Sequence, residues 1–247
     1  SRNLHREVQR CLGQRIPSAG YIPGWANTEG LPQMTASGPV TRFVFASRLV
    51  PQKGIGLVME AAERLREAGC SRFTIDVYGG GDVRDLRQTI RARRLDEHVT
   101  YRGAPEKDEM LRRFADYDAL LFPTWQREPF GFVVCEAAAA GCLPIVTDRI
   151  GAAEWYFDGV DCLKIPRTAH AVAAAMQLLV EMPRDQLWTL RARARSSTRR
   201  LLGFDRALSA LEAIMADVPP QAPPNPARRG EAAMSILGEL WRSNASV

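Results

Sequence analysis

Short, almost uninterrupted apolar runs recur through the first two thirds of the chain, separated by stretches of helical period. Thr41 to Ala46, Phe73 to Tyr78, Val99 to Arg102, Ala119 to Phe122 and Leu143 to Val146 have the length and continuity of strands buried on both faces. Between them, Ile55 to Ala68 places Leu57, Ala61 and Leu65 on one stripe. Val83 to Arg93, Pro105 to Ala115 and Phe132 to Ala140 also read as helices. Asp161 to Ile165 is predicted as a short edge strand. Ala169 to Glu181, Arg184 to Arg200 and Phe204 to Asp217 are predicted as three closing helices. Strand and helix alternate in register, which predicts an α/β fold with a doubly wound parallel sheet, Rossmann-like.

The pattern divides the chain. Residues 1–39 are expected to be the end of a preceding domain and an interdomain link: Leu4, Val8 and Leu12 form a helical stripe, and Tyr21 to Trp25 reads as a short strand and turn. Residues 40–217 form the α/β domain. Residues 218–229 carry five prolines and read as a stiff linker. Residues 230–247 hold a final short helix, Glu231 to Trp241, which must dock on something to be stable.

The strongest local signal is Glu128-Pro129-Phe130-Gly131-Phe132-Val133-Val134-Cys135-Glu136-Ala137-Ala138-Ala139-Ala140-Gly141-Cys142-Leu143-Pro144. It reads as a loop turning into an Ala-rich helix that Gly141 stops in a left-handed cap. The open helix N-terminus, flanked by two buried strands, suits a phosphate. Glu136 follows Phe132 by four residues on the same face, where a carboxylate can accept from a ribose. Glu128 stands ahead of the helix, near whatever the nucleotide carries. Upstream, Arg48 and Lys53 leave the first strand in Ser47-Arg48-Leu49-Val50-Pro51-Gln52-Lys53-Gly54, at the edge where open sheets bind ligands. Two cations there suit a diphosphate. Gly79-Gly80-Gly81-Asp82 follows the second strand, but the third glycine of a dinucleotide fingerprint would fall at Arg84, so an NAD site is not supported. The glycines are instead expected to make a tight turn close to a ligand.

Composition adds limits. The chain has 247 residues, 46% hydrophobic and 25% charged, and a net charge of +5. That balance accommodates phosphates, an anionic membrane or nucleic acid without choosing among them. The basic cluster Arg191, Arg193, Arg195, Arg199 and Arg200 is expected to be a solvated helix face rather than a lipid- or acid-binding patch. The cysteines show no CxxC pairing, and Cys135 and Cys142 look like small buried hydrophobes of a reducing compartment. The histidines have no metal-ligand spacing and no acidic metal cluster is evident, so neither metal nor cofactor is expected. Ser1 is not a natural start residue, and the chain is read as a piece of a longer protein.

From Thr41 to Ile165 the chain resembles the carboxyl-terminal, donor-binding half of retaining family-4 glycosyltransferases of the GT-B fold. The resemblance rests on the Arg48 to Gly54 loop, the Tyr78 to Asp82 turn, Val99 to Gly103, Asp148 to Glu154, Asp158-Gly159 and above all the Glu-x7-Glu element from Glu128 to Glu136. It implies transfer of a sugar from a nucleotide-diphosphate sugar to a glycan or lipid-type acceptor. Arg48 and Lys53 would bind the diphosphate, and Phe130, Gly131 and Phe132 would meet sugar and phosphates through backbone N–H groups. Glu136 would hold the ribose and Glu128 the donor sugar, as the catalytic-site carboxylate. Gly79, Arg102 and Gly103 would complete the donor site, the loop after Arg102-Gly103 framing the base. Gly151-Ala152 and Asp82 depart from the family pattern. The preceding Rossmann-like domain, with its acceptor site, is missing, so the chain is expected to need it for catalysis. A non-catalytic nucleotide-sugar binding module and a nucleotide-sugar epimerase remain the alternatives. The expected setting is cytoplasmic, with peripheral association at the inner face of the membrane left open; no nucleic-acid partner is expected.

Overall fold

The computed structural model describes residues 10, 26, 30–125, 128–148 and 150–216. The expected helix of residues 1–12 (Arg10 apart), the Tyr21 to Trp25 turn, the proline linker and the final helix lie outside these residues. Six parallel strands make one sheet: β1 (Thr41–Ala46), β2 (Phe73–Tyr78), β3 (Val99–Gly103), β4 (Ala119–Phe122), β5 (Leu143–Thr147) and β6 (Leu163–Ile165), in the order β3-β2-β1-β4-β5-β6. The order reverses between β1 and β4, which pair through Phe43 with Ala119 and Val44 with Leu120. That reversal opens a crevice at the carboxyl ends of these two strands. The strands are buried because helices cover both faces, so β1, β4 and β5 are apolar almost throughout.

The helices are α1 (Ile55–Glu67), α2 (Val83–Ala92), α3 (Lys107–Arg113), α4 (Phe132–Ala140), α5 (Ala169–Glu181), α6 (Arg184–Leu202) and α7 (Phe204–Ala216). The predicted helix of residues 105–115 is shorter than expected: α3 ends at Arg113 and a 3-10 turn, Phe114–Asp116, leads into β4. In α1 the buried side is Val58, Ala61, Ala62 and Leu65, with Met59, and Leu57 is only half-buried. Ala61 and Leu65 of the expected stripe are buried, and Val58 takes the place expected for Leu57. Asp82, a departure from the family pattern, caps α2 by accepting from the amide of Asp85 at 2.9 Å. No helix among the described residues is long and apolar enough to cross a membrane.

The basic cluster on α6 is a solvated face only in part. Arg191 is fully buried and forms an ion pair with Asp118, also fully buried, at 2.9 Å. Its guanidinium also donates to the carbonyl oxygens of Gly141 (2.8 Å) and Thr35 (3.0 Å) and to the hydroxyl of Ser37 (2.9 Å). Asp118 accepts in addition from the Arg42 amide and the Ser37 hydroxyl. One turn on, Arg195 donates to the carbonyl of Pro32 at 3.0 Å. Burial lowers the Arg191 pKa and Asp118 counters that shift. Arg193, Arg199 and Arg200 remain exposed. The cluster therefore splits by helical phase: two arginines bind the segment before β1, and the others face solvent.

Two predictions follow from this packing. Arg191→Met leaves Asp118 a buried charge without its cation and should cost about 3–5 kcal/mol in urea unfolding. Arg193→Met, on the exposed side of the same helix, should stay within about 0.5 kcal/mol of the unsubstituted chain. Separately, burial pushes the thiols of Cys135 and Cys162 up to about 12, and that of Cys142 upward as well. Each is a thiol below its raised pKa. Iodoacetamide at about pH 8 should therefore spare all three in the folded chain and alkylate them in urea, as peptide mass mapping will show. Among the described cysteines Cys70, half-buried, should react first.

Candidate functional site

The loop from β1 to α1 comes first in sequence, and its path is set by its neighbours. Ser47 donates its amide to the carbonyl of Tyr78, and Leu49 donates to that of Gly80. A Cβ on Gly79 would stand 1.8 Å from the carbonyl oxygen of Ser47, so only glycine lets the two loops run side by side. A 3-10 turn, Pro51–Lys53, then ends in Gly54 at φ +83°. Added there, a Cβ would meet the Pro123 carbonyl oxygen at 2.3 Å. The loops after β1 and β4 thus touch across the crevice. Trp125 donates its amide to the Gln52 carbonyl (3.0 Å), and Arg167 donates to that of Pro51 (2.8 Å).

This contact brings Lys53 and Glu128 together, 75 residues apart in sequence, as an ion pair with both side chains 15% exposed. The Lys53 ammonium also lies 5.6 Å from the centroid of the Phe122 ring. Arg48 is exposed and makes no ion pair or side-chain hydrogen bond among the described residues. The turn into α4 faces the same crevice. Gly131 caps the helix at φ +86°, and the Phe130 carbonyl accepts from Ala152 at 2.7 Å, which ties this turn to the loop after β5. Phe130 is buried and Phe132 half-exposed, their rings 4.9 Å apart. The first amides of α4 precede any intrahelical bond and carry the positive end of the dipole.

Beside this turn is a cavity of about 280 Å³ at the carboxyl ends of β1, β2 and β3. Tyr78, Gly79, Pro105, Met110 and Val133 give it a largely apolar wall, and Lys107 and Glu136 stand at it together. Their side chains pair at 3.0 Å, Lys107 mostly exposed and Glu136 mostly buried. Tyr78 is held from below: Tyr117 donates to Asp76 at 2.8 Å, so the Tyr78 hydroxyl must donate to Tyr117, also at 2.8 Å. Burial drives the Tyr117 phenol far above its ordinary range, keeping the proton this chain of bonds needs.

The structure brings Lys53, Glu128 and Gly131 together at the crevice, Gly131 between Phe130 and Phe132, with Gly79 and Glu136 at the adjoining cavity; Arg48 lies on the Lys53 loop with its side chain exposed. Gly103 reaches the cavity indirectly, its carbonyl accepting from the Gly79 amide at 2.9 Å. Arg102 does not line it. Its guanidinium pairs instead with Asp76 of the neighbouring β2 at 3.0 Å, and Ala104 and Pro105 form the wall. Thr100 stands opposite Asp76 and Arg102 shares its face, so the side chain reaches back along that face to the carboxylate. Sequence reasoning missed Lys107, Met110 and Tyr78. Lys107 carried a signal, being one of three lysines among 33 basic side chains. No cluster of potential metal ligands occurs among the described residues. A larger groove, about 490 Å³, lies by the α1–β2 loop and α5 and holds none of these residues.

Comparison with known proteins places this geometry. The glycogen synthase of Mycobacterium tuberculosis is 32% identical over 209 residues, covering 81% of this chain and 48% of that protein. The chain thus spans about half the length of that relative. Among solved structures, the sucrose-phosphate synthase of Thermosynechococcus elongatus superposes with a TM-score of 0.74 at 19% identity, covering 87% of this chain and 56% of that one. An Anabaena protein solved with UDP-glucose gives 0.62 at 18% identity, covering 87% and 53%. These likenesses establish the Rossmann-like α/β fold found in GT-B glycosyltransferases. Residues 40–182 match the family model of glycosyl transferases group 1, and the chain belongs to that family.

Proposed function

We propose that this chain is the donor-binding half of a retaining glycosyltransferase of the family-4 type. It would hold a nucleotide-diphosphate sugar for transfer to a glycan or lipid-type acceptor. The observation that carries the reading is the meeting at one crevice of Lys53, Glu128 and the open end of α4, with Arg48 on the Lys53 loop and Glu136 one turn along the helix. The apolar cavity beyond Glu136 has room for a base.

On this reading the base lies between Pro105, Met110 and Val133, and the ribose hydroxyls donate to Glu136. The diphosphate lies against Arg48, Lys53 and the first amides of α4. The sugar then falls beside Glu128, whose carboxylate orients it. As the sugar–phosphate bond breaks with retention, negative charge grows on the leaving diphosphate. With the donor bound and Lys53 drawn to the diphosphate, the two cations and the helix dipole face that charge and stabilise it as it grows. The side chains supply this counter-charge, and the reading routes no step through a metal. The acceptor and the other wall of the cleft are assigned to a further domain of a longer protein, on which turnover would depend. The Anabaena structure with UDP-glucose recommends UDP as a first probe.

Calorimetry with UDP, ADP and GDP tests this assignment. Arg48→Ala and Lys53→Ala should each weaken binding of the preferred nucleotide by about 1.5–3 kcal/mol, the worth of charge-assisted hydrogen bonds. Unchanged affinity in both variants would remove the diphosphate assignment. Glu136→Ala should weaken free nucleotide and nucleotide-sugar alike. The loss at Glu128→Ala should instead appear as a smaller advantage of nucleotide-sugar over free nucleotide. An equal loss for the two ligands would refute the division of roles between the glutamates.

A further inference from the structure

The Lys53–Glu128 pair raises a difficulty for a simple binding site: the cation meant for the diphosphate is already taken. We propose that Glu128 is a release device for the spent nucleotide, competing with the diphosphate for Lys53. This rests on the donor-site reading above and adds a second role to Glu128.

The backbone under Lys53 is fixed. Pro51–Lys53 is a closed 3-10 turn, Gly54 is pressed against Pro123, and the carbonyls of Pro51 and Gln52 accept from Arg167 and Trp125. Only the side chain can change partner. Both charged groups are mostly buried, with the Phe122 ring against the ammonium, so neither is stable alone. Lys53 can leave Glu128 only when both gain something else. A nucleotide-sugar provides that: the diphosphate takes Lys53 and the sugar hydroxyls donate to Glu128. Arg48, exposed and unpaired, can engage the diphosphate first.

After transfer the balance reverses. The nucleoside diphosphate still offers Lys53 a partner, but Glu128 has lost the sugar. A mostly buried carboxylate without a donor then draws Lys53 back, and the hold on the diphosphate falls to Arg48 and the helix end. The exchange moves no proton and breaks no covalent bond. The choice of side chain agrees. The chain uses arginine almost everywhere, yet three lysines occur among its 33 basic residues and two of them, Lys53 and Lys107, sit on the two site glutamates. A lysine ammonium is a point charge that changes partners without matching a planar fork, whereas arginine would grip the carboxylate at two points.

A double-substitution cycle tests the idea, with UDP, ADP and GDP as probes. Glu128→Gln should bind the preferred nucleoside diphosphate more tightly, by roughly threefold to tenfold, because Lys53 no longer has to leave a charged partner. In a Lys53→Met background the same Glu128→Gln change should have little effect. Binding too weak for calorimetry there can be read from the phosphorus NMR line of the terminal phosphate. A Glu128→Gln chain that binds UDP no better than the unsubstituted one would overturn the proposal. So would an equal gain in the Lys53→Met background, which would mean simple removal of negative charge. If the unsubstituted chain binds none of the three nucleotides, the donor-site reading itself falls. If it binds one but the cycle shows no coupling, only the release role falls.

Discussion

Much of the structure hangs on one buried cation. Arg191 lies inside the domain with Asp118, and its guanidinium also closes on the carbonyls of Gly141 and Thr35 and the hydroxyl of Ser37. Each contact fixes a different element. Asp118 stands at the amino end of β4 and accepts from the Arg42 amide in β1. Gly141 is the C-cap of α4, where a cation meets the negative end of the helix dipole. Thr35 and Ser37 belong to the segment that enters the domain. The far end of α4 is thereby held in register with the two strands whose carboxyl ends flank the crevice. Met34 reinforces this, since any Cβ on Gly141 would meet its side chain at 2.2 Å.

With its C-terminus pinned, α4 can present its other end as a rigid binding surface. Six of its nine residues are buried, four of them alanine, so it sits deep in the domain and leaves few charges near its open end. Gly131 supplies the left-handed turn that starts the helix, and Phe122 and Ile150 pack close around it. The loops after β1 and β4 meet at the reversal of strand order because Gly54 lets Pro123 in. The order of the strands, more than any single side chain, brings Lys53 to Glu128. A parallel sheet that reversed elsewhere would leave these residues on separate loops.

How legible this was depended on the distance over which each residue acts. Strands and helices were readable because burial on both faces imprints a continuous local pattern, and the limits of β1, β2 and β4 agree with it. The loop, helix and glycine cap around Glu128 to Gly141 were readable because each is set by residues close in sequence. Arg191 was not. Its sequence neighbours are other arginines, and its partner Asp118 lies 73 residues away. Nothing local separates a buried arginine from a solvated one. Leu57 shows the same limit on a smaller scale: it and Val58 are both apolar and adjacent, and packing on the sheet buries Val58 more fully with Ala61 and Leu65. Arg102 was assigned by proximity to the loop after β3, whereas strand alternation turns its side chain to Asp76.

The two lysine–glutamate pairs show what an open site must satisfy before any ligand arrives. Glu128 and Glu136 are mostly buried, and a carboxylate so placed needs a donor whether or not substrate is present. Lys53 and Lys107 meet that need from opposite situations. Lys107 is largely in solvent, so its pair with Glu136 contributes little and can open at small cost. Lys53 is enclosed, so its pair is stronger and opens only when both partners are compensated. On the proposed donor-site reading, the ribose end of the site would be permissive and the phosphate–sugar junction would not. A ligand bringing only a nucleoside would meet the weak pair, while one bringing diphosphate and sugar together would satisfy the strong one. Discrimination in favour of the intact donor would then follow from how deeply each pair is buried.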